Sequence, residues 1–590
     1  MRNWKLKLIG FMCTFFTLLL IVGCASDDFY YKYGADKDPK HGDFSYRIRK
    51  DRTVKITGYS QKGPANVVIP NKIMGMPVTE IGEGTFYLQA FRSYLQTVEI
   101  PETVKIIADG AFEGAGLTEI ILPANLEYIG KEAFNSNNLE KISIPNSVGE
   151  IGNYAFRSNK LTELNLGHGV KTIGEWAFSG NSLTTVSIPN SVTTIGGSAF
   201  SENKISQLKL PENLSRIEDG AIYQFGSAGI PSPKGAFSDN ELTTVDLPEN
   251  LAYIGDYAFA NNKITDITFP EATKTIGSGA FYGNKLTRLT IPESVIEIKD
   301  GGSVSPERIR EINSIRVSGK AVGGKMEPIT GLLGYGAFAN NQLTQVNIPG
   351  TIRQVGDYAF ANNELTTVNI GEGVCYLGRY AFYNNNISTI SLPKTIIGLF
   401  NHVFAENQLT NVIVPDNINI TQVGKNAFAN NPIISISLPG NINLGEDGFS
   451  KMFSLIYNYS GKLAGTYSRS DPLLDDWYLN GKSMSYSMVK LSDTIYVDTI
   501  DGNSPGKSII QKGKKIMTSE GSREVASTIL LPSGMHSIEV GYIKPTGGGS
   551  YKYSADTVEI IKYLFEGGSY TIGAKVSGNI IHFNVNQVDD

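Results

Sequence analysis

Residues 183–204 read LTTVSIPNSVTTIGGSAFSENK, and Ile205 begins the same pattern again. Val186 and Ile188 lie two apart, which puts both on one face of a short strand, with Leu183 leading in. Pro189 stops that strand, because proline has no N–H for a ladder. Val192 and Ile195 mark a second short strand, and Gly196 turns the chain. The segment ending Ala199-Phe200 is expected to be a helical turn with its phenylalanine buried.

Phe200 has equivalents at 112, 134, 156, 178, 237, 259, 281, 338, 360, 382, 404, 428 and 449, mostly 22 residues apart. Phe86 is an irregular first member. Equal steps would stack each ring on the last, and coils of this kind bury one another's faces rather than standing alone. Asn follows the Phe by three residues in twelve coils, from Asn137 to Asn431. Asn donates, accepts and tolerates left-handed turns, so an internal ladder that satisfies buried backbone is favoured over a polar binding stripe.

Aromatics stand two residues before the Phe at Tyr154, Trp176, Tyr257, Tyr358 and Tyr380. Glu132, Ser198 and Gly279 hold the same position elsewhere, which argues that it lies outside the core. Tyr154 with Trp176, and Tyr358 with Tyr380, should then stack in adjacent coils and offer exposed anchors to a protein or sugar. Outward strand positions such as Thr184, Thr185, Ser187, Thr366, Thr367 and Asn369 form a flat polar face. A solvated sheet is the favoured reading of it, since binding there would need a repetitive partner or avidity.

Two steps are longer than the rest, 37 residues to Phe237 and 57 residues to Phe338. Both insertions, near 218–234 and 299–335, interrupt the coil after the second strand, so equal phase puts them on one side. The first carries Ile222, Tyr223, Phe225, Ile230, Pro231 and Pro233, and the second Arg308, Arg310, Arg316, Lys320 and Lys325. An aromatic anchor beside a steering charge would make a composite contact. The alternative is a pair of tolerated surface loops.

The coil L-T-x-V-x-I-P-x-x-V-x-x-I-G-x-x-A-F-x-x-N resembles the BspA-type leucine-rich repeat of bacterial surface proteins. The opening, through Val68-Ile-Pro70 and Ile81-Gly82, is similar to that family's first coil. Gly167 and Gly371 depart from it at the proline position, as do the two insertions. The resemblance implies a mostly β fold: a right-handed parallel-sheet solenoid of about fifteen 22-residue coils over 46–450. It also implies surface display, binding to host matrix or plasma proteins or to other cells, and no transferable catalytic residue.

The N-terminus reads as an address. Arg2, Lys5 and Lys7 precede the apolar run Leu8 to Val22, which is short for a span of ~20 residues. Leu20-Ile-Val-Gly-Cys24 looks like a lipobox, whose family implies removal of 1–23 and a lipid on Cys24. Residues 24–45 would be a tether, and the protein would sit in the bacterial envelope, at the outer membrane or cell surface. Without the leader's three cations the net charge moves from −5 to −8. An acidic chain with no basic block is no nucleic-acid binder.

Beyond Phe449 the period is lost. Residues 451–482 resemble the end of some such arrays and would seal the last coil. Residues 483–590 read as short strands and turns, with a final hairpin across Ser577-Gly-Asn579, and suggest a small β-sandwich-like domain.

Chemistry is sparse. Three cysteines and five scattered histidines give no disulfide framework and no metal spacing. Cys375 lies within a repeat, where packing is its simplest role. Asp501 to Ser508 looks like a phosphate loop, but Asp501 replaces its first glycine and no helix is expected after it. A hairpin turn is the simpler reading, so no nucleotide and no cofactor is expected. The expected function is a lipid-anchored adhesin or interaction protein without catalysis. A structural scaffold lipoprotein of the envelope is the alternative, and a carbohydrate-active or hydrolytic enzyme is least favoured.

Overall fold

The computed structural model describes residues 40–87, 95–223, 232–303 and 334–414, most of 420–480, and the strands between 482 and 588 by backbone alone. The chain is mostly β: a parallel β-solenoid of about fifteen turns with 22-residue spacing, followed by two further sheets. It divides into two compact units, Met1–Leu343 and Thr344–Asp590.

The first unit opens with strand Phe44–Ile48 antiparallel to Val54–Tyr59, which then pairs in parallel with Met76–Ile81. Lys40–His41 is already a strand, so folded chain begins inside the stretch read as tether. Phe44 and Tyr46 are buried, and Phe44, Tyr59 and Phe86 touch ring to ring, so the opening hairpin covers the start of the aromatic spine.

Each coil contributes a short second strand to one continuous run of parallel pairings within its unit, and many coils add a first strand that pairs with its neighbour, although 117–122, 242–247 and 264–269 form none. Lys141–Ser143 pairs with Glu163–Asn165, and Thr185–Ser187 with Gln207–Lys209, one coil apart. The second ladder runs through Glu150–Ile151, Thr172–Ile173, Thr194–Ile195 and Arg216–Ile217. Pro189 ends its strand, and its carbonyl accepts from Val192 N–H at 3.0 Å to close the turn. Arg216 pairs directly with Tyr253, so the first insertion is left out of the register. Gly277 shows why glycine follows the second strand: a Cβ there would meet the carbonyl carbon of Gly255 at 2.5 Å.

The phenylalanines form the expected spine. From Phe86 to Phe338 the rings are stacked, with centroids 4.8 Å apart at Phe86–Phe112 and 5.8 Å at Phe281–Phe338. The asparagines are a ladder, not a stripe. Asn159 Nδ2 donates to the Phe134 and Phe156 carbonyls at 2.9 and 3.1 Å, and its Oδ1 accepts from Leu139 N–H at 3.1 Å. Each amide thus satisfies three backbone groups that water cannot reach.

The Ala-Phe segment is not helical. Ala155 N–H donates to Gly152 and Arg157 N–H to Tyr154, giving two tight turns in succession. Tyr154, two before the Phe, has φ 61, and its equivalents Trp176, Ser198, Tyr358 and Tyr380 have φ 58, 60, 59 and 57. A left-handed residue breaks a helix. It also aims alternate N–H groups along the stack: Tyr154 donates to Glu175 and Phe156 to Ala177, both at 2.7 Å.

In the second unit ladders of the same kind run from Gln345–Ile348, paired with Thr367–Ile370, to Asn411–Ile413, paired with Ser435–Leu438. Gly465–Ser468 then lies antiparallel on Ser435–Leu438, so that edge is occupied. Tyr457, Tyr467 and Trp477 are buried, and Phe453 stands edge-on to Phe449, where the stack ends.

Residues 486–588 form two sheets. Ile510–Thr518, Gly521–Pro532, Tyr486–Leu491, Ser569–Ser577 and Ile580–Val588 make one, in that order. In the other, Ile495–Ile500, Ser550–Tyr553 and Val558–Leu564 each pair with Gly534–Gly547. The final hairpin is present, with Ser577 opposite Ile580. Residues 501–509, read as a hairpin turn, lie outside the described residues.

Candidate functional site

The aromatic positions before the Phe stack as expected but are not exposed anchors. Tyr154 and Trp176 lie 6.3 Å apart with planes 5° from parallel, and the Arg157 guanidinium sits 5.1 Å from the Trp176 ring. Trp176 is only 2% exposed and Tyr154 is half-buried. Tyr358, buried, stacks on half-buried Tyr380 at 5.0 Å, and His402 continues the column at 4.5 Å. The left-handed turn lays these rings along the stack, where each covers its neighbour. Burial holds the His402 imidazole below its ordinary pKa, with Lys425 adding to the effect. Its Nε2 is 3.1 Å from Asn426 Nδ2, within hydrogen-bond distance.

The described roots of the two insertions are brought together. The first leaves the solenoid as Ala221–Tyr223, antiparallel to Ser232–Lys234. The second leaves as Gly302–Ser303, antiparallel to Gly334–Tyr335. Ile222 of one and Tyr335 of the other pack on Tyr257, Ala260 and Tyr282 of the coils between them. Tyr335 stands edge-on to Tyr282 at 4.9 Å and to Tyr257 at 6.3 Å. Burial pushes the Tyr257 phenol up to about 12 and raises that of Tyr335 as well. Asn340 Nδ2 donates to Tyr282 Oη at 2.8 Å.

A charged cluster joins the same two roots. Lys299 Nζ reaches Asp219 and Asp256, each at 3.2 Å, and donates to Tyr253 Oη. Tyr253 Oη donates to Asp219 at 2.6 Å, and the Arg216 guanidinium lies 3.7 Å from the Tyr253 ring centre. Burial, then the Asp219 charge, raises the Asp256 carboxyl. At Asp219 burial also pushes upward, but hydrogen bonds from Tyr253, the Asp256 backbone and Lys299 prevail and hold it low. Lys234, only 5% exposed, pairs with Glu202 at 2.8 Å and Asp239 at 3.0 Å.

Of the residues expected to bind, Tyr223 is placed by its backbone at the end of the first ribbon strand. Phe225, Arg308, Arg310 and Arg316 lie outside the described residues, as does Cys24. Sequence reasoning missed Tyr253, Tyr282, Tyr335, Asp219 and Lys299. The signal available was proximity to the insertion points: Asp219 and Lys299 follow the strands from which the insertions leave. Among the described residues no group of His, Cys, Asp and Glu could hold a metal ion, and no helix is long and apolar enough to cross a membrane.

The BspA type leucine rich repeat region matches residues 79–204, 127–230, 231–313 and 332–456. No curated protein matches. Among solved structures, a leucine rich cell surface protein from Faecalibacterium prausnitzii is 18% identical, with a TM-score of 0.38 over 70% of this chain and 95% of its own. A leucine-rich repeat protein from Bacteroides ovatus is 19% identical, with a TM-score of 0.37 over 70% of this chain and 92% of its own. The pneumococcal vaccine antigen PcpA is 17% identical, with a TM-score of 0.32 over 69% and 85%. With the repeat region matched over more than half its length, the chain belongs to the BspA-type leucine-rich-repeat family.

Proposed function

We propose that this protein is a lipid-anchored adhesin of the bacterial envelope that binds other proteins through its paired insertions. The family is one of surface proteins whose repeats serve protein–protein interaction. The observation that carries the site is the convergence of both insertion roots on one tyrosine core, Tyr257, Tyr282 and Tyr335, beside the Lys299 cluster. An ordinary pair of surface loops would need neither a shared core nor a shared ion cluster. Residues 1–23 are read as a leader and Cys24 as the lipid site, with host matrix or plasma proteins as the partners.

Three measurements test this reading. Radiolabelled fatty acid should enter the parent and not Cys24→Ala. Protease added to intact cells should cleave the chain if it is displayed outward. The parent, and not a variant with both insertions restored to the 22-residue step, should bind a panel of matrix and plasma proteins. Equal binding by that variant removes the insertions from the contact.

A further inference from the structure

An outer strand carries unpaired backbone donors and acceptors, and proteins that stay monomeric blunt it with charge, bulges or shortness. The two sheets of residues 486–588 do this at every outer strand but one. Ile510–Thr518 carries Lys512, Lys514 and Lys515 and two register shifts against its neighbour. Ile495–Ile500 carries Asp498 and a register shift. Val558–Leu564 carries Glu559 and Lys562, and Ser550–Tyr553 is four residues long with Lys552 inside it. Ile580–Val588 is nine residues long and reads IIHFNVNQV, without Lys, Arg, Asp, Glu or Pro. Its register against Ser569–Ser577 is unbroken from end to end. Among the described residues it pairs with nothing else.

We propose that Ile580–Val588 is a pairing edge, and that its partner is the same strand of a second copy of this chain, antiparallel about a two-fold axis. A two-fold contact needs a surface that complements itself, and a neutral strand edge does so through its backbone alone. A strongly charged partner would find no side-chain charge to answer its own. The direction follows from Asp589-Asp590, which come directly after the strand. Parallel pairing would gather four acidic side chains at one end. Antiparallel pairing separates the two pairs by the strand length, ~30 Å at 3.4 Å per residue. The inference goes beyond the proposed adhesion and stands without it. A dimer would also present two insertion surfaces to a repetitive partner, which raises avidity without any new contact.

The test uses residues 24–590 with Cys24→Ser under reducing conditions, which keeps every described element. Sedimentation across a range of concentrations should show a monomer–dimer equilibrium. Asn584→Lys with Asn586→Lys places like charges across the two-fold, and should weaken the dimer by about tenfold or more with an unchanged circular dichroism spectrum. In the parent, backbone hydrogen exchange at 580–588 should slow as concentration rises, while that at 510–518 stays constant. This second measurement does not depend on the variant folding. A parent that stays monomeric, a folded lysine variant that dimerises equally well, or protection at 580–588 that ignores concentration would each overturn the proposal. Concentration-independent protection would instead mark a strand covered by its own chain.

Discussion

Asn262 donates from Nδ2 to the Phe237 and Phe259 carbonyls at 2.9 and 3.1 Å, while its Oδ1 accepts from Leu242 N–H at 3.1 Å. Asn240 and Asn284 also donate to those two carbonyls, so Asn262→Ala orphans the Leu242 N–H alone, and unfolding in urea should show a loss of ~1–3 kcal/mol. Trp176 tests the turn. Its φ of 58 suits glycine, so Trp176→Gly should unfold later than Trp176→Ala by about 1 kcal/mol, although it removes more side chain. His402 tests the column. Its folded pKa is lowered from 6.5, so the unfolded chain binds its proton first. Stability should be complete above the ordinary histidine value and decline as pH falls below it towards the folded pKa. The thermal midpoint of His402→Phe should lose that part of the pH dependence. An identical slope in the variant would assign the decline to other groups.

At the scale of the element, Phe259 lies between Phe237 and Phe281 at 5.5 and 5.4 Å. Phe259→Ala should cost ~3–5 kcal/mol in denaturant unfolding, and a loss below ~1 kcal/mol would mean that the spine carries little of the coil. This element was legible, because a buried ring repeated at equal steps can only stack. The Asn ladder was legible for the same reason. The turn between them was not. Periodicity records which side chains are buried but not the sign of φ, and the hint lay in Gly84, Gly110 and Gly279 at that position in other coils. Polar residues there suggested an exposed wall, yet Ser198 is as buried as Trp176, so residue type did not track cover. The insertion roots were legible in phase alone. Their shared core depends on Tyr335 and Ile222, which no repeat pattern marks.

For the molecule as a whole, removing both insertions should leave the ladders intact, because Arg216 already pairs with Tyr253 across the first of them. Circular dichroism should hardly change, whereas a dye that reports apolar surface should brighten as Tyr257 and Tyr282 lose Ile222 and Tyr335. Loss of cooperative unfolding would instead make the insertions part of the fold. The asparagine ladder carries a last consequence, a direction in time. Asn159 serves the carbonyl of Phe134 and the N–H of Leu139 in the coil before it, and Phe156 N–H looks to Ala177 in the coil after it. Part of every coil is thus finished only by its successor. A chain made or exported from its N-terminus closes each coil only when the following one arrives, so its folding front trails synthesis by one turn. Cutting the array at either side leaves raw, thirsty backbone behind: a C-terminal cut strands Phe156 and Leu139, and an N-terminal cut strands the N–H groups of Gly152 and Lys160, which look back to Ile129 and Leu139.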